Sequence, residues 1–112
     1  MGYIYLIGEY ENSNLYKIGV TKYSNIGKRI NELQTGNSNE MYLKASFKSK
    51  YPYKLEKMLH RRFNSTRVMN EWFNLTDEDI KNFLSICEDF EITLDALENT
   101  TLYLNKKSDL FS

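Results

Sequence analysis

At 112 residues the chain has room for one modest core and none for a separate substrate domain, so its function must sit in one cleft or on one face. No apolar run approaches the roughly 20 residues of a membrane-spanning helix, the N-terminus lacks the basic-then-apolar pattern of a secretory leader, and a lone Cys87 excludes an internal disulfide or a thiolate metal cluster, so a soluble cytoplasmic protein without membrane contact is expected. Net charge is zero but uneven: residues 1–75 hold 12 Lys or Arg against 6 acids and residues 76–112 hold 3 against 9, a +6 body joined to a −6 tail. A basic body suits a polyanionic partner, although lysine-rich surfaces also arise for solubility alone.

The β-branched and aromatic run Tyr3-Ile4-Tyr5-Leu6-Ile7 predicts a strand, Glu11 to Asn14 a turn, and Leu15 to Val20 a second strand. Neither strand alternates cleanly, which implies that other elements cover both faces of this hairpin. Lys17 and the tyrosine hydroxyls are conspicuous in such a setting. A helix is expected next, capped by Ser24 or Asn25 and ended by Gly36, with the inward stripe Ile26, Arg29, Ile30, Leu33. A guanidinium in that stripe needs a partner.

After an Asn37-Ser38-Asn39 loop, Met41, Leu43, Ala45 and Phe47 alternate with Tyr42, Lys44, Ser46 and Lys48, the pattern of a strand with one apolar face. Pro52 suits the first turn of a second helix, along which Leu55, Met58, Leu59 and Phe63 form the inward stripe and Glu56 and His60 lie beside it. Residues 64–70 read as an irregular connection, and Trp72 and Phe73 as closing the core. Thr76 followed by Asp77, Glu78 and Asp79 predicts a third helix with the stripe Ile80, Phe83, Leu84, Cys87. Beyond Glu88, Ile92, Leu94, Leu97, Leu102 and Leu104 fit neither period. The expected fold is α+β: a small three-stranded antiparallel sheet flanked by helices in the order β-β-α-β-α, residues 1–75, plus an acidic C-terminal helical extension, residues 76–112, packed on the same domain.

Tyr3-Ile4-Tyr5, then Tyr16-Lys17-Ile18-Gly19, then Arg29, resemble the GIY-YIG nuclease domain. The helix segment Leu55-Glu56-Lys57-Met58-Leu59-His60, followed by Glu71-Trp72-Phe73, is similar to the phage and bacterial branch with a Y-K-I-G hairpin and an E-x-x-x-H helix. The resemblance implies a metal-dependent endonuclease hydrolysing DNA phosphodiester bonds at a single site. Such chemistry needs an activated water, cations to balance phosphoryl charge, and help for the leaving oxygen.

On that resemblance Glu56 would bind one hard cation, Mg²⁺ or Mn²⁺, and Arg29 would clamp the phosphate with its planar fork. Tyr5 would position or deprotonate the attacking water. The chain departs from the parent pattern in having Tyr3 in place of the first glycine and Lys17, not tyrosine, directly before Ile18-Gly19. Tyr16 and Lys17 are strand neighbours and point to opposite faces, so only one of them reaches Tyr5's side unless a bulge intervenes. His60, one helical turn after Glu56, is a candidate proton shuttle, with a plain surface position as its alternative. Lys22, Lys28, Lys54, Lys57, Arg61 and Arg62 could track a sugar-phosphate backbone. The competing expectation is a catalytically inactive member of the fold that binds nucleic acid or a protein partner. In a third, the acidic tail folds over the basic body or serves self-association.

Overall fold

The computed structural model describes residues 1–22, 26–36 and 39–111, with 101–111 described by backbone alone. The elements in chain order are β1 (Gly2–Glu9), β2 (Asn12–Thr21), α1 (Ile26–Thr35), β3 (Met41–Ser49), α2 (Pro52–Arg62), a 3-10 turn over Asn64–Thr66, β4 (Arg67–Met69), β5 (Trp72–Asn74) and α3 (Asp77–Phe111). The sheet has five strands in the order β3-β1-β2-β5-β4, every adjacent pair antiparallel, so the expected three-stranded count is corrected to five. The two extra strands form a hairpin inside what reads from sequence as an irregular connection. Each is three residues long and all of β4 is exposed, so no alternation exists to be detected.

Strand register sorts the hairpin side chains onto two faces. Tyr5 lies opposite Gly19, Ile7 opposite Lys17, and Tyr3 opposite Thr21, all on one side. Ile4 opposite Val20 and Leu6 opposite Ile18 occupy the other. Helix α1 covers the first face, where Ile26, Ile30 and Leu33 pack with Tyr3, Tyr5, Ile7, Met41 and Trp72. Helices α2 and α3 cover the second, where Leu55, Leu59, Phe63, Phe83, Cys87 and Leu94 pack with Ile4, Leu6, Tyr16, Ile18 and Phe73. The absence of alternation in β1 and β2 thus reflects burial on both sides. Trp72 and Phe73 close the core as expected, one on each side of the sheet.

Two further expectations are corrected. The apolar positions of β3 do not share a face: a bulge opposite Leu6 and Ile7 takes Lys44 out of register, so Ala45 and Phe47 join the α2/α3 side while Met41 joins the α1 side and Leu43 is left exposed. Leu84 is not in the inward stripe of α3 but is exposed, because Phe83, Cys87 and Leu94 set the buried line. The segment after Glu88, which fits neither period, is a direct continuation of α3, which runs 35 residues. The expected caps Ser24 and Asn25 and the loop residues Asn37 and Ser38 lie outside the described residues. Helix α1 ends at Thr35 as expected, but Gly36 does not adopt the left-handed conformation that favours glycine there.

Helix α3 begins with a reciprocal capping box: the Asp79 amide donates to Thr76 Oγ1 at 3.1 Å and the Thr76 amide to Asp79 Oδ2 at 3.0 Å. Farther along, its acids fasten it to the β3–α2 junction. Glu91 accepts from the Ser49 hydroxyl at 2.7 Å and the Lys50 amide at 2.9 Å, and Asp95 accepts from the Tyr51 hydroxyl at 2.7 Å. Part of the tail's acidity is therefore a clamp onto the basic body. No helix among the described residues is long and apolar enough to cross a membrane.

Candidate functional site

Tyr5 is 1% exposed, and its ring is laid across Gly19: a Cβ on that glycine would come within 2.3 Å of the phenol carbon and oxygen. The glycine of the Lys17-Ile18-Gly19 triplet is there for room. The ring therefore lies flat along the sheet, and its hydroxyl meets the Arg29 guanidinium, brought over from α1. That contact, with Glu32 adding a 3.4 Å ion pair, holds the guanidinium more firmly protonated than usual. Arg29 thus has the partner its place in the stripe demands, while its side chain keeps 38% exposure, enough to meet a ligand from solvent.

Lys17 shares Tyr5's face, displaced diagonally by one pair along the hairpin. Tyr16 points the opposite way. It is buried among the α2/α3-side residues, where burial and a hydrogen bond with Tyr42 push its phenol up to about 12. The register settles which of the two neighbours accompanies Tyr5, and it is the lysine. Its Nζ donates to Glu71 Oε2 at 2.7 Å and sits 5.9 Å from the centre of the Trp72 ring.

Glu71 occupies the second position of the two-residue turn between β4 and β5, after Asn70, whose φ of 53° is the left-handed conformation that asparagine tolerates. Its own carbonyl accepts from the Ile18 amide at 3.0 Å, which pins the turn to β2. In the sequence Glu71 stands out only as part of the Glu71-Trp72-Phe73 segment that the resemblance includes. The signal that could single it out is its place directly before Trp72, since a strand residue pairing with Lys17 puts its predecessor within reach of the same amine.

From α2, Glu56 reaches the same group. Its half-buried carboxyl is pushed up to about 7, first by burial and then by the negative charge of Glu71, with Lys17 pulling the other way. Among the described residues Glu56 Oε2 is buried and has no hydrogen-bond partner. A carboxylate oxygen so placed is costly unless something cationic meets it, which fits a hard divalent ion. Among the described residues no three His, Cys, Asp or Glu side chains gather as a ready-made metal cage. His60, one turn on, uses Nε2 to hydrogen-bond the Ile18 carbonyl at 2.9 Å, just past the last β2 residue paired with β5, and its ring packs 5.2 Å from Phe73. It fixes α2 against the strand that carries Lys17.

The basic residues divide. On α2, Lys54, Lys57 and Arg61 are exposed at spacings of three and four, one stripe on the solvent side, with Lys57 beside Glu56. Arg62 is exposed too, and together with Arg61, Met58 and Phe90 it lines a hollow of about 300 Å³ beside α3. Lys22 directly follows β2 and Lys28 adjoins Arg29 on α1, both lysines exposed. Lys48, opposite Tyr3 on the α1 face and exposed, is a further cation on that side.

The profile of the T5orf172 domain matches residues 2–88. This chain belongs to the T5orf172 domain family. The family is nuclease-associated, which supports a nuclease-like or nucleic-acid-binding role. No curated protein and no solved structure matches the chain. The T5orf172 match takes in the whole sheet, α1, α2 and the first turns of α3, including Phe83 and Cys87, and so passes the boundary that the charge pattern suggests at residue 75. It stops before Glu91 and Asp95, the acids that clamp α3 to the body.

Proposed function

We propose that this T5orf172 domain is a GIY-YIG-type endonuclease that uses Mg²⁺ or Mn²⁺ to hydrolyse phosphodiester bonds in DNA. One observation carries the reading: contacts and charge interactions link residues from five separate segments into one polar line. Arg29 meets Tyr5, Tyr5 lies over Gly19 two residues from Lys17, Lys17 pairs with Glu71, and the charge of both reaches Glu56. Structural demands alone do not explain a buried carboxylate oxygen without a partner at the end of such a line.

In this reading Arg29 presents its fork to two non-bridging oxygens of the scissile phosphate and stays charged at any working pH. Tyr5, held by Arg29, orients the attacking water and, having first given its own proton to solvent, takes up the water's proton as the phenolate. Lys17 supplies a second positive charge to the phosphoryl oxygens as negative charge builds there. Glu56 holds the divalent ion, which when bound adds positive charge at the phosphate and makes water easier to deprotonate. His60 acts as a positioning residue by tying α2, and hence Glu56, to the backbone of β2. Lys22, Lys28, Lys48, Lys54, Lys57 and Arg61 contribute salt-sensitive, sequence-blind attraction to the backbone.

Supercoiled plasmid incubated with the protein and Mg²⁺ or Mn²⁺ tests this. Nicking is expected from the wild type and lost in Arg29→Ala and Glu56→Ala. Cleavage that survives both substitutions removes the mechanism. A second reading is favoured by Lys17 itself, which stands where the motif has tyrosine: a domain that binds nucleic acid or a protein partner without cutting. Salt-dependent DNA retention with no nicking under any divalent ion selects it.

A further inference from the structure

We propose that Glu71 is the second carboxylate of the divalent-cation site, and that Lys17 is an internal counter-cation which the incoming ion displaces from it. The inference rests on the endonuclease reading and goes beyond the single carboxylate, Glu56, that this reading assigns to the metal.

Two acids, Glu56 on α2 and Glu71 in the β4–β5 turn, are close enough for the charge of one to act on the other, in a half-buried place where like charges repel strongly. One has an oxygen that is buried and unpartnered. The other is engaged by a lysine ammonium at 2.7 Å, a direct ion pair in which the lysine side chain is 13% exposed and the carboxylate 39%. The lysine ammonium brings one charge to Glu71 and leaves the neighbouring Glu56 Oε2 unsatisfied, whereas a divalent ion would bring two and could ligate both acids. Lysine is also the cation best suited to yield, because its single charge sits on a flexible stem with rotatable donors and makes no planar bidentate pair. The exchange gives Lys17 somewhere useful to go. Freed from Glu71, the amine lies on Tyr5's face of the hairpin, where the phosphate is held.

The full-length chain, without DNA, is titrated with Mn²⁺ and followed by quenching of Trp72, the only tryptophan, whose ring lies 5.9 Å from Lys17 Nζ, and by the electron paramagnetic resonance signal of free Mn²⁺. Saturable binding is expected in the wild type. Glu71→Gln, which keeps a hydrogen-bond acceptor for Lys17, is expected to weaken it by about tenfold or more, because hard-ion affinity follows the number of charged ligands. Lys17→Met is expected to tighten it by roughly threefold or more, since a competitor for Glu71 has gone; Lys17→Gln replaces it if thermal unfolding shows that the methionine variant does not fold. Glu71→Gln binding Mn²⁺ as tightly as wild type, while Glu56→Gln does not bind, overturns the inference alone. Undiminished binding by Glu56→Gln, or no binding by the wild type, overturns it together with the metal assignment in the proposed function. Weaker binding by the Lys17 variants overturns the displacement.

Discussion

Replacing Gly19 with alanine attacks the site through packing. The added Cβ would stand 2.3 Å from the Tyr5 phenol carbon and oxygen and 2.5 Å from a neighbouring ring carbon, more than an ångström inside normal contact. Tyr5 is 1% exposed and bounded by Ile7, Ile26 and Met41, so the ring has no vacant space to retreat into and must move with its surroundings. Overpacking of this kind costs about 1–3 kcal/mol, which for a domain near this size lowers the melting temperature by roughly 5–15 °C. The ring also carries the hydroxyl that Arg29 engages, and an ångström of misplacement is enough to lower cleavage about a hundredfold. Thermal unfolding followed by Trp72 fluorescence reads the first quantity, and the rate of plasmid nicking the second. Gly36→Ala is the control: among the described residues nothing lies within 4 Å of an added Cβ and the backbone is not left-handed, so stability should hold or rise by about 0.4–1 kcal/mol. A Gly19→Ala protein as stable and as active as wild type would falsify the placement of Tyr5.

Tyr16→Phe should lose about 1 kcal/mol with the buried hydrogen bond to Tyr42 yet still nick DNA, whereas Lys17→Met should not; the reverse ranking in one plasmid assay refutes the assignment of faces. Glu56 makes stability depend on pH in a stated direction. Its folded value of about 7 exceeds the usual 4.5, so without divalent ions its stabilising effect is complete below about pH 4.5 and disappears as pH rises through 7. Partial exposure reduces the effect to about 1–2 kcal/mol. Urea unfolding in a chelator should accordingly show Glu56→Gln gaining on wild type between pH 5 and pH 8, and equal gaps at both pH values would contradict the burial of that carboxyl. Truncation after Leu75 removes Phe83, Cys87 and Leu94 from the core and should leave a chain without a cooperative melting transition. Leu94→Ala should cost about 2–5 kcal/mol against almost nothing for Ile92→Ala on the exposed side of the same helix, and equal effects in denaturant titrations would mean that α3 is not docked there.

Much of the fold was legible because the relevant signals are local. The β-branched runs of β1 and β2, Pro52 at the start of α2, and Thr76 with Asp79 at the start of α3 each fix an element within a few residues of chain. The misses came from interactions between distant segments. The bulge in β3 exists only relative to β1, so the alternation of Met41 to Lys48 pointed to a single apolar face that is in fact divided between two. The β4–β5 hairpin exists because β2 has an edge to offer, and three-residue strands carry no period of their own. In the candidate site, Tyr5, Arg29 and Glu56 could be named from their motif positions. Choosing Lys17 over Tyr16 required the register of the hairpin, and Glu71 emerges only once a turn 54 residues downstream is folded back onto the lysine.

The irregularity in β3 also protects the molecule. β3 and β4 are the two outer strands of the sheet, and of these only β3, at nine residues, is long enough to recruit a further strand from another copy. Its ladder is notched at Lys44, and Lys44 and Lys48 are both exposed along it, so an approaching strand finds neither an unbroken row of amides nor a neutral rim. Deleting Lys44 would restore an even ladder and remove one of those charges, turning a guarded rim into a template for edge-to-edge polymerisation.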